Sequence, residues 1–97
     1  MAQVNFTLVG LGKFGGSLGL ALKGYSKQPN AEHQFVVTGY DGTAALIDQA
    51  LKLGVIDKGE RNLSVAVEKA DLVFLDLPYD DVESALQLIG NALKAGA

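Results

Sequence analysis

The chain has 97 residues, of which 48% are hydrophobic and 20% charged, with a net charge of -3; this describes one soluble globular domain with a core, not a disordered segment. The acidic balance argues against nonspecific nucleic-acid binding, which needs a basic face, yet allows one phosphate site built from backbone amides. With no cysteine and one histidine, disulfides, thiolate or histidine-rich metal sites and cysteine nucleophiles are excluded, and with neither a run near the roughly 18 apolar residues of a membrane span nor a secretion signal, the cytoplasm is the default location.

Val4 to Val9 is β-branched, aromatic and alternating, and stops at Gly10, which predicts a strand ending in a turn. Phe14 to Tyr25 carries Leu18, Ala21, Leu22 and Tyr25 at helical spacing. The polar stretch from Gly24 to Gln34, with Pro29 and Asn30, reads as a loop, and Phe35 to Tyr40 as a second strand. Thr43 is placed to cap a helix running to about Leu53, and Gly54 to end it as a left-handed cap.

Val55-Ile56 is the candidate for a very short third strand, and Leu63 to Ala70 for a short helix. Leu72 to Leu75 is an uninterrupted apolar run, as expected of a strand buried on both faces. Asp80 to Lys94 closes the chain as a helix with the stripe Val82, Ala85, Leu86, Ile89 and Leu93. The alternation of strands and helices predicts an α/β fold, a Rossmann-like doubly wound parallel sheet. A complete dinucleotide fold needs about six strands, so residues 1–97 read as one dinucleotide-binding domain truncated to about four.

Gly10-Leu11-Gly12-Lys13-Phe14-Gly15 has the G-x-G-x-x-G spacing between a strand and a helix, the setting that gives the pattern meaning. Gly10 permits the turn off the strand, Gly12 lets a pyrophosphate approach the backbone, and Gly15 lets the helix pack on the sheet. The amides of Lys13, Phe14 and Gly15 then point at the phosphates, aided by the helix dipole. The Lys13 side chain reads as solvated, with a phosphate contact as the alternative. Gly16 and Gly19 read as sites of close helix-strand packing.

Asp41 follows the second strand, where a carboxylate can accept the adenosine ribose hydroxyls and repel a 2′-phosphate; a helix-start acid is the other reading. No Arg or Lys stands at positions 42 to 45, which favours NAD over NADP. Leu77-Pro78 after the fourth strand either borders the nicotinamide ribose at the point where the winding reverses or simply stops the strand. Asp76 reads as a solvent-facing strand-end acid, with a group that orients a ribose hydroxyl or a water as the alternative.

The run Gly10 to Lys23, with its doubled glycine followed by Ser17-Leu18, resembles the opening of prephenate and arogenate dehydrogenases. Tyr40-Asp41, the stretch from Ala50 to Asp57, Lys69 to Val73 and Leu77-Pro78 fall in the same order as in that family. The related 6-phosphogluconate-dehydrogenase-like reductases share several of these features. The resemblance implies oxidative decarboxylation of prephenate or arogenate with hydride passed to NAD(P), in tyrosine biosynthesis, by a homodimer acting on a small-molecule substrate. It implies cofactor roles for Gly10, Gly12, Gly15 and Asp41, with Leu77 and Pro78 near the nicotinamide.

Asp76 departs from the small residue usual there, and Lys13 and Phe14 from the usual aliphatic pair. In the family the catalytic histidine and serine come after the fifth strand, which is absent here, so this segment is expected to turn over nothing. His33, in the polar loop, matches no catalytic position. Two readings from other classes stand beside this one: a noncatalytic module sensing NAD or another adenosine ligand, and an assembly domain pairing through the open edge beside Leu72 to Leu75.

Overall fold

Alternation along the first strand sets the two faces of the sheet. In the computed structural model, which describes residues 2–28, 33–77 and 79–94, β1 (Ala2–Val9) is followed by α1 (Lys13–Ser26), β2 (His33–Tyr40) and α2 (Ala44–Lys52). Then come β3 (Lys58–Glu60), α3 (Leu63–Val67), β4 (Leu72–Leu75) and α4 (Tyr79–Ala92). The four strands form one sheet in the order β3-β2-β1-β4, and every pairing is parallel. The winding therefore reverses between β1 and β4, as the doubly wound reading requires.

Leu8 and Val37 lie on one face with Ile47, Ala50, Val55 and Ile56, under α1 and α2. Val9 lies on the other with Leu63, Val67, Ala85 and Ile89, under α3 and α4. Thr7 is buried on that second face because its Oγ1 donates to the carbonyl of Ala66 at 2.7 Å, which removes the penalty of an unpaired hydroxyl.

Three expectations are corrected. Val55 and Ile56 form no strand: the Val55 amide bonds back to Ala50 O at 3.0 Å, closing α2; bonding to β2 begins at the Asp57 amide, which donates to Val37 O at 2.8 Å, and the β3 register at Lys58. Both side chains are core plugs, and Ile56 fills the space above Gly39. β4 is not buried on both faces: Val73 and Leu75 pack toward α4, but Leu72 (52% exposed) and Phe74 (37%) lie beyond the reach of the helices that cover β1 and β2. His33 is the exposed first residue of β2, paired with Ala2, and lies outside any loop.

Gly54 ends α2 at φ +72, as a left-handed cap. Gly19 packs as expected: a Cβ there would meet Val55 Cγ1 at 2.5 Å and Leu8 Cδ1 at 3.2 Å. Two ion pairs brace the sheet away from its carboxyl end. Lys23 bonds Asp57 at 2.9 Å and the carbonyl of Phe35, while Asp57 accepts the amide of Val37. Lys94 pairs with Asp71, whose other oxygen accepts the Asn5 amide at 2.7 Å. These bonds hold the Asp71 carboxyl below its ordinary value: first the Lys94 hydrogen bond, then that from Asn5.

Candidate functional site

The carboxyl ends of β1, β2 and β4 converge on one cavity of about 560 Å³. The ladders run on into it: the Gly10 amide donates to Tyr40 O at 2.8 Å, and the Asp76 amide donates to Val9 O at 2.8 Å. Gly10 is thus clasped between its neighbours on both sides. Its φ of +101 is one that L side chains rarely adopt, and a Cβ would lie 2.1 Å from Asp76 O. Gly10 is a glycine for folding reasons, before any ligand is considered.

Gly12 is different. It is the N-cap of α1 and supplies no side chain there, at φ -74 and ψ -161, a backbone that any residue adopts. A Cβ would meet only Asp76 Oδ2, at an ordinary 3.7 Å. Nothing in the fold demands a glycine here; what its absent side chain leaves open is the approach to the amides that begin α1. The backbone of Lys13, Phe14 and Gly15 forms the first turn of that helix.

Asp41 is fastened at both oxygens. Oδ2 accepts the Leu11 amide at 3.1 Å, and Oδ1 accepts the Thr43 amide at 2.9 Å. Thr43 is the N-cap of α2 by position, but its side chain makes no cap bond. The carboxylate two residues upstream instead takes the Thr43 amide and so fixes the turn that leads into α2; Asp41 is a turn acid ahead of that helix and a wall of the cavity at once. The Leu11 side chain is buried in the α1/α2 core, and its amide is taken by Asp41.

Leu77 lines the cavity, whereas Pro78 lies outside the described residues. Asp76 departs from the solvent-facing reading. It is half-buried, with its main chain against Gly10 and its carboxylate toward Gly12. Asp81 and Ser84 of α4 line the same cavity, with Leu63 and Leu88 as apolar wall. No motif marked these two; helical spacing alone places them on the face that carries Ala85 and Leu88. Among the described residues there is no cluster of His, Asp or Glu able to hold a metal ion, and no helix is long and apolar enough to cross a membrane.

The comparisons agree with this architecture. A family model described as "NADP oxidoreductase coenzyme F420-dependent" matches residues 5–97. The prephenate dehydrogenase from A. aeolicus, solved in complex with hydroxyphenyl propionate and NAD+, superposes with a TM-score of 0.82 at 24% identity, over 100% of this chain and 32% of that one. The Synechocystis arogenate dehydrogenase gives 0.82 at 22% identity, over 97% and 31%. The chain thus spans about a third of the length of these dehydrogenases, and its fold is that of their corresponding part.

Proposed function

Because the chain belongs to the NADP oxidoreductase, coenzyme F420-dependent family, we propose that it binds NAD(P) across the carboxyl ends of its strands as the cofactor domain of a dehydrogenase. The diphosphate rests on the amides of Lys13, Phe14 and Gly15, reached past Gly10, Leu11 and Gly12. The adenosine ribose hydroxyls bond the outer lone pairs of Asp41, and the nicotinamide end runs toward Leu77 and Pro78. One observation carries the reading: Gly12, which the fold does not require to be glycine, opens onto the same cavity as Asp41. The residues fit the cofactor, since a carboxylate has about four lone-pair positions and only two are used by amides.

NAD is the preferred form, because the Asp41 carboxylate favours free hydroxyls over a 2′-phosphate. When bound, the cofactor supplies the hydride acceptor. This chain's residues bind and orient it, and the acid-base groups for a substrate lie elsewhere in the whole enzyme. By likeness to the two dehydrogenases, that substrate is prephenate or arogenate; the resemblance read in the sequence adds oxidative decarboxylation in tyrosine biosynthesis by a homodimer, with the cytoplasm as the default location. NAD titration followed by amide NMR shifts tests the core of the proposal. Shifts are expected at residues 10–15 and Asp41; their absence at millimolar NAD would overturn it.

A further inference from the structure

We propose that Arg61 grips the phosphate on the adenosine 2′-oxygen whenever the bound dinucleotide is NADP. This rests on the cofactor reading above and adds a specificity residue to it. The linear sequence offers no cation directly after Asp41, but the sheet order supplies one. β3 lies beside β2, so the residue that follows β3 arrives at the loop that follows β2. That residue is Arg61, and its Nη2 donates to Gly42 O at 3.2 Å, one residue beyond Asp41.

The main chain of Arg61 is held in place. Glu60 Oε1 accepts the amides of both Arg61 and Asn62, each at 3.1 Å. Asn62 Oδ1 then accepts Val65 N at 3.2 Å and caps α3. The Glu60 carboxylate is thus turned onto the backbone, and the guanidinium is held beside Gly42, which itself lines the cavity. A guanidinium carries five N-H donors in a planar fork. Gly42 O uses one, which leaves donors to grip a phosphate in the two-pronged manner that arginine favours. Asp41, with both oxygens already accepting amides, serves the unphosphorylated ribose, and Arg61 the phosphorylated one.

The test is calorimetric titration of the chain with NAD and with NADP, for the unaltered protein, Arg61→Ala and Arg61→Lys. Adenosine 2′,5′-bisphosphate and 5′-AMP isolate the phosphate from the nicotinamide half. The unaltered chain is expected to bind NADP no more than about tenfold more weakly than NAD. Arg61→Ala should raise the ratio of the NADP to the NAD Kd by roughly tenfold or more, the scale of a charge-assisted hydrogen bond, and Arg61→Lys should recover part of it. The bisphosphate ratio should move in parallel. An unmoved ratio with NAD still bound overturns the assignment of Arg61 alone; binding of neither dinucleotide overturns the cofactor reading and this one with it.

Discussion

The carboxylate of Asp41 accepts the main-chain amide of Leu11 across 30 residues of sequence, at 3.1 Å. The glycine turn after β1 and the loop after β2 are therefore one unit, joined by a residue that also lines the cavity. Asp41→Asn keeps the shape but offers a single acceptor oxygen, so one of the two amides loses its partner. The expected loss of stability is about 1–2 kcal/mol, read as a lowered urea midpoint with an unchanged slope.

Gly10 and Gly12 separate folding from binding. Gly10→Ala puts a Cβ against Asp76 O and an L side chain at positive φ, and should destabilise the chain by roughly 3 kcal/mol or more. Gly12→Ala meets only an ordinary contact, so stability should change by less than about 1 kcal/mol. Its NAD affinity should nevertheless fall by about tenfold or more, because a methyl group then stands where the diphosphate approaches. Thermal melts and NAD titrations on both variants check the contrast.

Gly24 lies inside α1, and a Cβ there meets nothing within 4 Å. Gly24→Ala should raise stability by about 0.5–1 kcal/mol, since it restrains the unfolded chain and suits the helix. A higher denaturant midpoint is the readout, with NAD affinity as the control.

Asp71 predicts a pH dependence. Its carboxyl is depressed in the folded state by Lys94 and the Asn5 amide, so protonation favours the unfolded chain. Its contribution is fully present above the unfolded carboxyl value of about 3.9, and is lost as pH falls through the lower folded value. Asp71→Asn should therefore be less stable than the unaltered chain at pH 7, and the gap should close in strong acid. Urea unfolding at both pH values measures it.

β4 pairs with β1 and, among the described residues, with no other strand, and it exposes Leu72 and Phe74. Open apolar edges invite pairing with another chain. The 97-residue chain should self-associate with rising concentration, and Leu72→Lys should shift it toward monomer with little loss of stability. Sedimentation at several concentrations decides the matter; a concentration-independent monomer would contradict it.

Much of this was legible in the residues. The strand-glycine-helix opening, the end of β2 at Asp41 and the cap at Gly54 are local signals, with dihedral demands written into single residues. Val55 and Ile56 are ambiguous in sequence because a short β-branched run suits a strand and a core plug equally; the bond from Val55 back to Ala50 separates the two. Leu72 and Phe74 look buried in sequence, yet burial depends on which helices cover β4, a matter of lateral order. Asp76 beside Gly12 and Arg61 beside Gly42 are products of strand adjacency, which no linear spacing encodes.

The ion pairs of Lys23 and Lys94 lie well short of the strand ends that meet the cavity. Added salt should therefore act on the molecule in two places at once and by separate routes. Screening at the base weakens the clamps on the sheet, while at the rim it dampens whatever the carboxylates and Arg61 feel from an incoming anion. Ionic strength becomes a dial on folding and on ligand choice whose two effects can be measured apart.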